Sequence, residues 1–195
     1  MNGKFNYPEL RARLDRIRDA LNKETDAWAL EGMDAVKREI GIAANLQRQY
    51  EQVVEAYKGT DSVNVDMELV DGNPFVWQIV LFGRPMTNLD GGIFRLRLFL
   101  SRRFPDEQPR VRFETKIFHQ RVSEDGVLCY FPQRPDDLKS HVDAMIAAVE
   151  DESPAYDPRT IVNPEAAKLF WGNADEKKSY SRQLRRSVQR SSEME

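Results

Sequence analysis

Residues 104–132 read FPDEQPRVRFETKIFHQRVSEDGVLCYFP, and the pattern of the chain changes within them. The proline-bounded segment Phe104–Pro109 leads into Arg110–Thr115, which reads as a strand. From Ile117 to about Arg134 both the strand and the helix period disappear. That irregular stretch carries His119, the turn Glu124-Asp125-Gly126 and Cys129, the one cysteine of the chain. Long stretches without secondary structure of their own are usually functional.

Upstream, Val63, Val65, Met67 and Leu69 alternate with polar residues, Asp71-Gly72-Asn73-Pro74 reads as a turn, and Phe75–Phe82 as an apolar strand. A third strand, Ile93–Leu100, follows the pair Gly91-Gly92. Still further upstream, Leu10, Leu14, Ile17, Leu21 and Trp28 form a stripe of period three to four. They predict an amphipathic helix from Tyr7 to about Leu30, with Pro8 in its first turn and Gly32 interrupting it. A second helix is expected from Asp34 to about Lys58, stopped by Gly59. Downstream, helices are expected over Leu138–Val149, over Pro164 to about Trp171 with Asn163 as N-cap, and over Asp175–Arg190. Helices, four successive strands, a loop and more helices make an α+β domain whose antiparallel meander offers one face to helices.

At 195 residues the chain suits one core with an appended arm, and 41% hydrophobic residues suffice to fill it. No stretch approaches the roughly 18 to 20 apolar residues of a membrane-spanning helix, and the polar start MNGKFNYPELRARLDR lacks a secretory signal core. Cytoplasm or nucleus is the expected location. A formal charge of −3 gives no global attraction to nucleic acid. A single cysteine forms no internal disulfide, and His119 and His141 lack metal-site spacing. By composition alone the thiol is either buried filler or a nucleophile.

Several motifs resemble the ubiquitin-conjugating enzyme family over Asn45 to Val188. Trp77 falls at the family's strand-two tryptophan, Gly83-Arg84-Pro85 resembles its Gly-Pro-Pro turn, and Asp90-Gly91-Gly92-Ile93-Phe94 its Glu-Gly-Gly-hydrophobic-Phe signature. Phe104–Val111 overlays its Tyr-Pro-Phe-Lys-Pro-Pro-Lys-Val. His119-Gln120-Arg121-Val122 stands where the family has His-Pro-Asn-Val, with Cys129 eight residues past Arg121. Asn163-Pro164-Glu165-Ala166-Ala167 resembles its Asn-Pro-Glu-Ala-Ala run. On this resemblance residues 1–44 are an N-terminal helical extension, 45–190 the conjugating domain, and 191–195 a flexible tail expected to fray.

The resemblance implies that Cys129 accepts ubiquitin or a ubiquitin-like protein as a thioester from an activating enzyme, then passes it to a lysine amine or a ligase. It implies no metal or small-molecule cofactor. The nucleophile must be a thiolate, so Cys129 needs electropositive help, with Arg121, Arg134 and Lys139 as candidates. Arg121 replaces the motif asparagine and either supplies its hydrogen-bond donors or is a solvated loop residue that leaves the site weakened. His119 is assigned to loop structure. Asp157 is the nearest match to the family's acidic acceptor gate, with Ser153 and Tyr156 as substitutes.

Departures from the pattern concern partners. Asp106 stands where the family has its ligase-binding phenylalanine, removing an aromatic anchor. Tyr130 and Phe131 alter the loop after the cysteine; they are packing residues, or a partner site if exposed. Arg48 is a candidate contact for the activating enzyme, with Lys37 and Arg38 earlier. The stripe containing Leu14 and Leu21 packs on its own domain or presents a helix to a dedicated ligase or adaptor. Two further readings remain open: a catalytically weak or inactive scaffold of the same fold, and an unrelated hydrolase built on His119, His141 and Cys129.

Overall fold

The computed structural model describes residues 6–23, 27–58 and 64–193, with side chains described outside 21–30. Gly59, Val63, and the side chains of Leu21 and Trp28, which figure in the expectations above, lie outside the described residues. Two helices, α1 (Tyr7–Lys23) and α2 (Ala27–Lys58), precede the strands β1 (Val65–Leu69), β2 (Val76–Phe82), β3 (Ile93–Phe99) and β4 (Arg110–Phe113). The helices α3 (Leu138–Glu150), α4 (Pro164–Phe170) and α5 (Ala174–Glu193) follow. The four strands pair antiparallel in sequence order, the meander expected of an α+β domain.

Strict alternation sets the two sheet faces. Trp77, Ile79 and Leu81 of β2, Phe94, Leu96 and Leu98 of β3, and Val111 and Phe113 of β4 all point inward and are buried. The register aligns Leu69 with Trp77, Trp77 with Leu98, and Leu98 with Val111, so apolar rows cross the sheet. Leu46 and Val53 of α2 and Leu138, Val142 and Met145 of α3 close over them. Trp77 donates from Nε1 to the Pro74 carbonyl at 2.8 Å and meets the edge of Tyr50 at a centroid distance of 5.2 Å. Burial thus leaves its polar atom satisfied.

Two boundaries differ from the sequence reading. The first helix ends at Lys23 rather than near Leu30, and Gly32 lies inside α2. A Cβ at Gly32 would meet Ile17 Cδ1 at 3.6 Å, so this glycine marks where α1 crosses α2. One glycine in a helix costs only about 1 kcal/mol against alanine, which 32 residues of helix absorb. The expected division at residues 44/45 lies within α2, as it lay within the second helix expected from Asp34. At the other end α5 runs through Glu193, where a fraying tail from Ser191 was expected. Ser191 is buried there and accepts a hydrogen bond from Ile93 N at 3.0 Å; Met194 and Glu195 lie outside the described residues.

The N-terminal stripe packs on its own domain in part. Leu10 and Val36 are buried and Tyr7 packs against the main core, whereas Leu14 and Ile17 are half-buried. Glu39 of α2 accepts from Arg102 Nε and NH2 at 3.0 and 2.7 Å, and that guanidinium lies 5.4 Å from the Phe75 ring centroid. Leu10→Ala should therefore cost about 2–3 kcal/mol in urea denaturation and Leu14→Ala less than about 1. Equal costs would mean that the two positions are equally buried in solution.

Candidate functional site

The loop after β4 folds back along it. Phe113 N donates to Gly126 O at 2.7 Å, Leu128 N to Val111 O at 3.0 Å, and Cys129 N to Arg121 O at 2.8 Å. Bridges between Arg112 and Val127 and between Val122 and Leu128 close this hairpin. Gly126 turns it at φ +87°, and a Cβ there would stand 2.5 Å from Phe113 O, so the turn needs glycine twice over. The result places Cys129 beside Arg121.

A second segment forms the opposite wall. The buried Gln120 accepts at its carbonyl from Val162 N at 3.1 Å and Asn163 N at 3.2 Å, and its side chain accepts from Tyr180 OH at 2.8 Å. Asn163 then caps α4, as expected, by accepting from Ala166 N. These bonds hold residues 157–163 against the loop, and the Cys129 thiol donates to Arg159 O at 3.6 Å. Asp157 opens the short turn Pro158–Thr160, and its carboxylate takes Arg159 in a two-pronged pair with contacts from 2.8 to 3.2 Å. The Arg159 guanidinium also lies 5.7 Å from the ring centroid of the exposed Phe131.

Charges around the sulfur oppose one another. Burial raises the half-buried Cys129 thiol above its ordinary pKa, Arg121 lowers it, and Asp157 raises it. Arg159 holds the Asp157 carboxyl below its usual range, with help from Arg121. Arg121 Nε is buried and makes no hydrogen bond among the described residues. Arg134 and Lys139, the other candidate cations, instead pair with Asp137 and Asp143.

Neither histidine offers a base to the thiol. His119 is buried, accepts at Nδ1 from Arg121 N at 3.0 Å, and donates to the Val149 backbone. Its pKa falls to about 4, chiefly through burial, so the ring is neutral and braces the loop. His141 is held between Tyr130 OH at 2.9 Å and Pro135 O at 2.7 Å. The hydrolase arrangement of His119, His141 and Cys129 is therefore not assembled.

A family model described as ubiquitin-conjugating enzyme matches residues 45–183. The chain belongs to the ubiquitin-conjugating enzyme family. It is 29% identical over 161 residues to ubiquitin-conjugating enzyme E2 7 of Triticum aestivum, covering 72% of this chain and 90% of that one. It is 30% identical over 127 residues to ubiquitin-conjugating enzyme E2 3 of Arabidopsis thaliana, covering 62% and 79%. The α+β meander with its helices is the architecture of that family. The match includes the thiol loop and residues 157–163 but not α1 or the first part of α2.

Within this conjugating-enzyme domain the other expected contact residues are dispersed. Asp106 is exposed on the loop before β4. Arg48 is exposed on α2, donates to Asn45 Oδ1 at 2.9 Å, and lines a surface groove with Glu51, Gln52 and Glu55. Of the two alternatives for the loop after the cysteine, Tyr130 takes packing, at 2% exposure with its ring against His141, while Phe131 is 54% exposed. Ser153 is exposed, and Tyr156 is exposed with its ring against Trp171. Gln120 and Arg159 had no role in the sequence reading. Gln120 replaces a motif proline that has no side-chain donor or acceptor, and Arg159 lies in a stretch of unusual length.

His119 carries a pH signature. An unfolded chain protonates it near the ordinary 6.5, while the folded chain resists to about 4, so folding is fully favoured above 6.5 and loses stability as pH falls between these values. Urea titrations should show a loss of up to about 3 kcal/mol across that window. His119→Asn, whose Oδ1 can accept from Arg121 N, should flatten the slope, leaving the smaller part due to His141, which burial also lowers. An unchanged slope would place the acid sensitivity elsewhere.

Proposed function

We propose that this chain accepts ubiquitin or a ubiquitin-like protein as a thioester on Cys129 and transfers it to a lysine amine or a ligase. The observation that carries this reading is a partly accessible thiol set between Arg121 and the turn that begins at Asp157. Charging is a thiol exchange: the Cys129 thiolate attacks the carbonyl carbon held by the activating enzyme's cysteine, a new C–S bond forms, and the old one breaks to release that thiolate. Arg121 helps twice. Its charge favours the thiolate, and its unpaired Nε–H is a donor for the oxyanion of the tetrahedral intermediate, a contribution of about 2.7–4 kcal/mol where such donors have been removed.

His119 keeps the loop in place while neutral, and Asp157, whose charge reaches Cys129, is the carboxylate that would act on an incoming amine. The activating enzyme would dock along α2 at Arg48, a dedicated ligase or adaptor on the N-terminal helices through Leu14 and Leu21, and other partners at Asp106 and Phe131. Cytoplasm and nucleus are the compartments for this work. One observation favours the second reading, a weak or inactive scaffold: burial outweighs Arg121 at the thiol and leaves little thiolate near neutral pH.

Incubation with activating enzyme, ATP and each of several ubiquitin-like proteins separates the two. A reductant-sensitive adduct lost in Cys129→Ala establishes the carrier; no adduct with any modifier, beside a family control that charges, favours the scaffold. Because the thiol pKa is raised, the charging rate should climb about tenfold per pH unit from neutral upward. Arg121→Ala should slow charging near neutral pH by roughly a hundredfold or more, with Arg121→Gln partly restoring it. A flat pH profile would mean that thiolate formation does not limit the step.

A further inference from the structure

The carboxylate that acts on the Cys129 sulfur is already occupied. Asp157 acts electrostatically on Cys129, yet Arg159, two residues on, covers both of its oxygens: Nε stands 3.0 Å from Oδ1 and 3.2 Å from Oδ2, and a terminal nitrogen 2.8 Å from Oδ2. The same guanidinium rests on the Phe131 ring, and the same residue's carbonyl receives the Cys129 S–H. Asp157 and Phe131 thus hold the guanidinium, while the backbone of the same residue lies beside the thiol. A lysine ammonium approaching Asp157 meets a cation of its own sign in the place it needs.

We propose that Arg159 is a specificity-determining residue that restrains transfer to lysine by occupying Asp157. The inference rests on the carrier reading and deepens it. In aminolysis the deprotonated lysine nitrogen attacks the thioester carbonyl, the C–N bond forms, the C–S bond breaks, Cys129 leaves as thiolate, and the surplus ammonium proton passes to solvent. Asp157 can orient and desolvate that amine only when Arg159 has swung away. Transfer to a thiol has no such requirement, since its nucleophile is an anion and gains nothing from a carboxylate. The chain therefore delivers its cargo more readily to thiols than to free amines.

The restraint is releasable. The Arg159 side chain is 78% exposed and Asp157 30%, so the pair is screened by water and a docked acceptor can displace it. A lysine held near the thiol by contacts elsewhere has that advantage, whereas free lysine in solution does not.

The test is single-turnover discharge of the isolated thioester. With free lysine, Arg159→Ala should discharge roughly three- to tenfold faster than the unaltered chain, and Arg159→Lys, which keeps the cation, should not. Asp157→Asn/Arg159→Ala should lose the gain. With 2-mercaptoethanol as acceptor, Arg159→Ala should be no faster than the unaltered chain. Equal acceleration toward lysine and thiol would show simple opening of the cleft and overturn the proposal, as would no acceleration toward lysine. Failure of the unaltered chain to charge would instead remove the carrier reading beneath it, a result distinguishable from either.

Discussion

The wall opposite the thiol hangs on Gln120. Its carbonyl takes two backbone N–H groups from Val162 and Asn163, and its amide oxygen takes the Tyr180 hydroxyl of α5, all with the residue buried. Buried polar groups left without partners cost more than paired ones gain, so these three bonds hold loop, turn and helix together or fail together. On one side of Gln120, His119 braces the loop; on the other, Arg121 carries charge to the sulfur. A core glutamine thus does by hydrogen bonding what a proline would do by restricting its own φ.

This architecture sets the electrostatic problem of the site. Drawing residues 157–163 close enough for Arg159 O to receive the thiol proton also dries the sulfur, and drying favours the neutral thiol. Arg121 offsets part of that cost. Asp157 works against it, but its charge is partly neutralised by the Arg159 pair. The pairing that restrains an amine at Asp157 therefore also softens the penalty on the thiolate. Burial of the sulfur lowers both its accessibility and its ionisation; Arg121 offsets the second directly and Arg159 indirectly, through Asp157.

The fold was legible because period and punctuation agree across most of the chain. Alternation through Val65–Leu69 and Val76–Phe82, and Asn163-Pro164 opening α4, are local signals that tertiary packing reinforces. Gly32 misled because a single glycine is punctuation only where the surrounding helix is weak, and α2 is long. Ser191 misled because composition at a chain end suggests fraying, while a buried hydroxyl on Ile93 N is invisible in sequence. At the site, the spacing from Arg121 to Cys129 was legible since it is set by one hairpin. Gln120 and Arg159 were not, because their contacts depend on a partner far along the chain, as with Gln120 and Tyr180, or on which way a loop residue faces.

The N-terminal helices bear on the site through continuity rather than contact. The family match begins at Asn45, in the middle of α2, so the segment before it is the first half of the same helix. Moving that half independently would break consecutive helical hydrogen bonds, and α1 packs back along it. Glu39 adds a second tie through Arg102 to the segment 101–109, which carries Asp106. A protein held on α1 would thus be presented to the domain in a fixed orientation. On the proposed function, with no aromatic anchor at Asp106, this rigid lever on the neighbouring helix would be the physical alternative for directing an acceptor toward Cys129.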